Sequence, residues 1–362
     1  MPGRERISNS VQVKGTGGRF GDTWGGGFCW SGYHKCTDVV GSGDNAPLYV
    51  QHETVQGGRI NKPYVGFFSS WFQNYRADML DVQGVTDHLE IIDEPGDTDA
   101  VTQAAARTNP SAPYVDVPVN VLQLGELATL LRGKGRSFIR DLGTNNLMYQ
   151  FGIVPLVGDL AKMIDFNDQV SRRVGVINRL QSSGGYRKTI GLWSGSNQAF
   201  VDKFIQTQGV FIRGDFDVTT STSVKAHMRW LPQGDYSHLS SPQAQRDLAR
   251  RAVLGLTFDL SSAWELIPWS WLIDWGTTIG DYFAANRNII PAVLNDHSIM
   301  RHSRTVASWP GYAEGDWSCS GIQYTKETKR RSNSGFVAPV AHLPFLSANQ
   351  MGIVASLAVT RL

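Results

Sequence analysis

The run Ser262-Ala263-Trp264-Glu265-Leu266-Ile267-Pro268-Trp269-Ser270-Trp271-Leu272-Ile273-Asp274-Trp275, with Ile279-Gly280-Asp281-Tyr282-Phe283 just beyond it, holds four tryptophans within twelve residues. Its apolar positions 264, 267, 271, 275, 279 and 282 step by three or four, the spacing of one helical face. Trp269, Leu272, Ile273 and Phe283 widen that stripe until little polar surface is left. A helix apolar nearly all round is buried in a core or crosses a membrane. Glu265, Asp274 and Asp281 interrupt the run before it reaches the roughly 18 uncharged residues of a spanning helix. The spacing therefore predicts a core helix, started or kinked at Pro268, which lacks a backbone donor. On one helix Glu265 and Asp274 stand about 13.5 Å apart, beyond the roughly 5–9.5 Å of a glycosidase carboxylate pair. They read instead as buried carboxylates bonded to backbone or indole donors.

Outward from this run, helical and strand-like blocks alternate. Residues 241–290 are the helical block that contains it, opened by Ser241 as cap and Pro242 in the first turn and ended near Asn286. Residues 119–186 carry Val121, Leu124, Leu127, Leu130 and Leu131 on one stripe. Leu156, Leu160, Met163, Val170, Val174, Ile177 and Leu180 follow on another, closed by Gly184-Gly185. Residues 187–234 return to period two: Val210–Val218 and Ser223–Trp230 read as paired strands with Thr219–Thr222 at the turn. Residues 1–118 read as strands and Gly-rich loops, with Glu94–Asp99 an acidic turn. Residues 297–340 are strand-like again, and 345–362 predict a short C-terminal helix from Ser347. These blocks lack the strand-helix-strand rhythm of a parallel sheet. The expected class is α+β, a helical bundle region plus an antiparallel β-sheet region, each built from discontinuous segments.

Hydrophobic residues at 41% and charged residues at 18% describe a folded chain, not a disordered one. Met1-Pro2-Gly3-Arg4-Glu5-Arg6 has no apolar secretory core, so synthesis in a cytoplasm is expected. Cys29, Cys36 and Cys319 are too few and odd in number for a disulfide framework. His34 between Cys29 and Cys36 offers three ligands where structural zinc takes four, so neither metal nor cofactor is expected. No Gly-x-Ser-x-Gly elbow or His-Glu-x-x-His helix occurs, and Gly25-Gly26-Gly27 lacks the surroundings of a phosphate loop. A non-enzyme is expected. The net charge of +2 hides segregation: nine Lys/Arg against fourteen Asp/Glu in 1–118, ten against five in 119–188, seven against three in 297–362. That pattern points to an anionic partner for the middle of the chain.

The string from Ala263 to Trp275, followed by Ile279–Phe283, resembles the signature of the maturation proteins of small single-stranded RNA bacteriophages. Tyr149-x-Phe151-Gly152-x-x-Pro155-Leu156 is similar to a segment those proteins carry upstream of their Trp-rich helix. The two matches cover about a tenth of the chain. The resemblance implies an elongated minor virion protein, made in the host cytoplasm, that binds the phage genomic RNA, commonly at hairpins of its 3′ region. It implies further that the protein takes the place of coat protein subunits, attaches to a bacterial pilus and enters with the RNA. The motif residues Trp264, Glu265, Pro268, Trp269, Trp271, Asp274 and Trp275, with Tyr149, Phe151 and Pro155, read as core, so no pilus contact is assigned.

Cations that neutralise phosphates beside rings that stack on bases are what an RNA interface needs. Arg132, Lys134, Arg136 and Arg140 supply one group; Arg172, Arg173, Arg179, Arg187 and Lys188 supply a second. Lys326, Lys329, Arg330 and Arg331 near Tyr324 supply a third. The bland alternative is a solvated basic surface; the resemblance favours RNA for the helical groups. A carbohydrate-binding surface protein that uses exposed tryptophans is the rival reading, and it would ordinarily bring a secretion signal.

Overall fold

The computed structural model of the chain describes residues 3–39, 46–76, 87–114, 165–207, 210–255, 273–274, 277–341 and 353. Of these residues 53% are in strands and 22% are helical. The α+β expectation is therefore corrected: the protein is mostly β, built on a large antiparallel sheet, with four α-helices among the described residues and not a balanced helical bundle.

Strand length is the physical reason. β1 (Gly3–Val13), β2 (Thr16–Arg19), β3 (Asp22–Gly25), β4 (Phe28–Val39), β5 (Leu48–Gly57), β6 (Arg59–Lys62) and β7 (Trp71–Arg76) precede four much longer strands. These are β8 (Tyr186–Thr207), β9 (Val210–Pro232), β10 (Ala292–Glu314) and β11 (Trp317–Ser332). Thr219–Thr222, expected at a turn, run instead through the middle of β9. A β-branched run favours the extended pleat. Its buried hydroxyls are also matched: Thr220 Oγ1 lies 2.6 Å from Thr305 Oγ1, and Thr222 Oγ1 donates to Ser303 Oγ at 2.9 Å.

The four helices are α1 (Asp97–Thr108), α2 (Phe166–Gln181), α3 (Pro242–Val253) and α4 (Ile279–Ala285). The acidic turn expected at Glu94–Asp99 is in fact the entry to α1. Asp97 and Asp99 occupy its first turn, where carboxylates favour the positive end of the helix dipole. Its buried face is largely Ala100, Ala104 and Ala105, small residues that leave no conspicuous apolar stripe. α3 begins as its sequence predicts, with Pro242 in the first turn and Ser241 Oγ accepting from Ala244 N at 3.1 Å. The stripe Val121–Leu131 lies outside the described residues. So do Trp264, Glu265, Pro268, Trp269, Trp271 and Trp275 of the Trp-rich run, and Tyr149, Phe151 and Pro155. Asp274 is described: expected as a buried carboxylate, it is half-buried, and its Oδ1 accepts Gly280 N at 2.9 Å. Of the C-terminal helix only Ile353 is described, helical and buried. No helix among the described residues is long and apolar enough to cross a membrane.

The sheet runs in the order β1-β4-β5-β11-β6-β7-β2-β3; β10 pairs with β11 and β9, and β8 pairs with β9. β11 is its pivot, antiparallel to β10 along one edge and to β5 and then β6 along the other. The turn from β5 into β6 depends on Gly57, whose φ is +80° and where a Cβ would stand 1.8 Å from the Gly321 carbonyl oxygen. No other residue fits that approach.

By its contacts the chain divides into two compact units. The first comprises Met1–Pro95, Gly191–Ala226 and Ser298–Ser334. Its core includes Val55, Ile60, Phe72, Tyr75, Phe216, Val218, Trp309, Ile322 and Tyr324. Phe216 stacks on Trp309 at 6.2 Å between ring centroids, over a space that Gly214 leaves open. The second comprises Gly96–Ile190, His227–His297 and Gly335–Leu362, and packs α1 against α4 and α2 against α3. Buried Asn109 ties it together. Its Nδ2 donates to the carbonyls of Ala284, Ala285 and Arg287 (3.0, 2.9 and 2.8 Å), satisfying the C-terminal end of α4.

Candidate nucleic-acid interface

In a strand, alternate side chains point to opposite faces, so the register of neighbouring strands fixes which residues share a surface. Five strands, β10 (from Ser298 onward), β11, β5, β4 and β1, lie side by side in the first unit. One row across them reads Met300, Arg331, Leu48, Asp38, Arg4. The next reads His302, Lys329, Val50, Cys36, Arg6, and the third Arg304, Glu327, His52, His34, Ser8. Arg4, Arg6, His34, His52, His302, Arg304 and Lys329 are all exposed. Successive rows lie two residues apart, about 6.6–6.8 Å along the strands.

Five cations, Arg4, Arg6, Arg304, Lys329 and Arg331, share this face with two carboxylates, Asp38 and Glu327. Asp38 is held by Arg4 at 2.6 Å and Arg6 at 3.5 Å. Its hydrogen bond to Arg4 keeps its carboxyl below the usual carboxylate range. Glu327 takes Lys329 at 2.9 Å and His302 at 2.6 Å, and the Lys329 bond first, then His302, lowers its carboxyl likewise. At the centre His34 and His52 meet edge to face, 6.1 Å between centroids. Surplus guanidinium and ammonium groups around exposed rings are what phosphates and unstacked bases require.

The opposite face is covered, and so closed, over the central strands, while Arg330 on β11 and Glu5, Ile7 and Asn9 on β1 stay exposed there. Tyr324 OH donates to Glu53 Oε2 at 2.5 Å, Gln51 Nε2 donates to Glu53 Oε1, and Tyr49 OH donates to Gln51 Oε1 at 2.8 Å. Asp87–Pro95 straps this surface. His88 sits between the hydroxyls of Thr305 (Nδ1, 2.7 Å) and Thr328 (Nε2, 2.8 Å), Leu89 N donates to Thr220 Oγ1 at 2.9 Å, and Arg301 holds Glu94 at 2.9 Å. Burial, then the charge of Lys326, pushes the His88 imidazole below its ordinary value.

Strand alternation splits the third basic group read from the sequence. Lys329 and Arg331 fall on the open face, and Arg331 Nε also donates to Ala46 O at 2.7 Å. Lys326 and Arg330 point to the other side, where Lys326 pairs with Asp87 at 3.1 Å and lies 4.0 Å from Glu53. Tyr324, read as their aromatic partner, is 2% exposed and cannot stack on a base. In the second unit Arg172 and Arg179 are exposed on α2, and Arg187 and Lys188 are exposed at the start of β8. Arg173 is turned inward, donating to Pro110 O and, at 2.6 Å, to Ala112 O; burial lowers its pKa. Arg132, Lys134, Arg136 and Arg140 lie outside the described residues.

Sequence reasoning missed Arg4, Arg6, His52, His302 and Arg304, and weighed His34 only as a metal ligand. The i, i+2 spacing of Arg4 with Arg6 and of His302 with Arg304 was the available signal. All three cysteines are buried free thiols: Arg76 Nη1 lies 3.5 Å from Cys29 Sγ, and Arg6 Nη2 lies 3.2 Å from Cys36 Sγ. Among the described residues no group of three or more His, Cys, Asp or Glu is placed to hold a metal. Compared with models of known protein families the chain matches none, and no curated protein matches it.

Proposed function

We propose that the chain is the genome-binding attachment protein of a small single-stranded RNA bacteriophage, a non-enzymatic minor component of the virion made in the host cytoplasm. In this reading it binds the genomic RNA, at hairpins of the 3′ region, and stands in for coat protein subunits. It then attaches to the host pilus and accompanies the RNA into the cell. The Trp-rich string and the Tyr149–Leu156 segment support the family. The observation that carries the RNA-binding part is the open sheet face, with five cations against two carboxylates and paired imidazoles at its centre. The carbohydrate-binding rival needs exposed tryptophans, and none of the seven described ones is exposed.

Binding of the full chain to an RNA hairpin with single-stranded flanks, measured against salt, tests this. Five engaged phosphates give a log–log slope of about −3.5, at roughly 0.7 per phosphate of a single strand. Arg304→Gln/Lys329→Gln/Arg331→Gln makes that slope shallower by about 2. A slope near zero, or one the triple variant leaves unchanged, overturns the assignment of RNA to this face.

A further inference from the structure

Two loop tips of the first unit carry an aromatic cluster that the open face does not use. The β2–β3 hairpin turns at Phe20-Gly21, and residues 63–70 join β6 to β7. The tips are tied together: Phe20 N donates to Phe67 O at 3.0 Å. Phe20, Phe67 and Phe68 meet edge to face, with centroids 5.9, 6.0 and 5.4 Å apart. Phe20 is held at φ +55°, a left-handed conformation that a non-glycine residue rarely adopts. Despite this fixed packing, Phe68 remains 78% exposed.

A groove of about 550 Å³ opens beside these rings, within the roughly 300–1,000 Å³ of small-ligand sites. Arg19, Lys62, Phe67, Phe68, Ser69 and Ser70 line it, and no carboxylate does. The Arg19 guanidinium lies 4.3 Å over the Phe20 ring, which keeps a cation beside the apolar wall. Neither Arg19 nor Lys62 has an ion-pair partner among the described residues.

We propose that this groove is a subsite for one unpaired nucleotide of an RNA strand. The base stacks on Phe68, Arg19 and Lys62 take the phosphates, and the hydroxyls of Ser69 and Ser70 meet polar edges of the base or ribose. The inference rests on the RNA-binding reading above and adds a second contact to it. A rigid aromatic wall joined to unpaired cations fits a ligand that is planar at one end and anionic at the other. The polar lining argues against a tip that merely inserts into lipid, for which the serines and the groove have no use.

The test uses the full chain and a labelled twelve-residue oligouridylate, with an abasic oligomer of equal phosphate number beside it. Anisotropy gives the affinities, and circular dichroism checks that each variant is folded. Phe67→Ala/Phe68→Ala weakens oligouridylate binding about tenfold, leaves the abasic oligomer unaffected and keeps the salt slope. Arg19→Gln/Lys62→Gln makes the slope shallower by about 1.4. If both variants bind as wild type while Arg304→Gln/Lys329→Gln weakens binding, the subsite is wrong and the RNA reading stands. If wild type binds no oligouridylate, both are wrong. Equal losses for the two oligomers remove the stacking role and overturn the subsite. So does unchanged oligouridylate binding in the phenylalanine variant together with its lost sedimentation on phosphatidylglycerol vesicles, which assigns the tip to a lipid surface.

Discussion

Glu53 and His52 are neighbours on β5 and live in opposite environments. Glu53 is 8% exposed and takes a hydrogen bond from Tyr324; His52 faces solvent beside His34. The same contrast holds on β10, where Thr305 is fully buried and its neighbour Arg304 is exposed. On one face the covered polar groups answer one another: Tyr49 by Gln51, Gln51 by Glu53, and Thr305 by both His88 and Thr220. On the other, two carboxylates are shared among five cations, so positive charge is left over. A buried polar group is tolerable only when satisfied, whereas an exposed cation keeps its water until an anion replaces it. The closed face thus holds the fold together, and the open face is available for binding.

The comparison breaks most visibly where the closed side meets the apolar core. Phe216→Ala removes the ring stacked on Trp309 and lowers unfolding free energy by about 3–5 kcal/mol in urea titration. RNA affinity under native conditions stays as in wild type. A smaller effect, about 1–3 kcal/mol, follows Thr305→Val, which keeps the shape of a fully buried side chain and strands the His88 and Thr220 groups bonded to it.

Acid sharpens the contrast further. The folded protein holds His88 below its ordinary 6.5, so near and below that pH it binds fewer protons than the unfolded chain. The resulting penalty is absent above 6.5 and grows as pH falls through it. The urea midpoint of wild type should therefore drop between pH 7 and pH 5 by more than that of His88→Gln. Equal drops would show that His88 is not the group responsible. Smallest in stability is the change on the open side. Arg304→Gln/Lys329→Gln alters unfolding by no more than about 0.5 kcal/mol and makes the RNA salt slope shallower by about 1.4. A large loss of stability in that variant would show that the open face, too, holds the fold.

Local signals in the sequence were legible where one residue type has one use. Ser241-Pro242 marks the start of α3; the period-two stretches at 210–218 and 223–230 are extended as expected, but as one strand, β9, and not as a pair joined by a turn. The fold class was not legible, because long strands contain residues that also make turns. Thr219–Thr222 is a turn by composition and mid-strand by its partners on β10. α1 was hidden for the opposite reason, since an alanine face carries almost no apolar contrast. The candidate site was half visible. Lys329 and Arg331 were read, but their companions Arg4 and Arg6 belong to a segment with more acidic than basic residues. Charge summed along the chain cannot reveal a surface that pairing assembles from five separate strands.

The most direct measurement is ultraviolet crosslinking of RNA to the full chain, with the crosslinked peptides mapped by mass spectrometry. Crosslinks are expected on the exposed rings of the open face, in the peptides that contain His34, His52 and His302. Peptides carrying Tyr324 and His88 of the closed face should be free of RNA. Crosslinks on the closed-face peptides, or none on the three histidine peptides while RNA remains bound, would contradict the assignment of RNA to the open face.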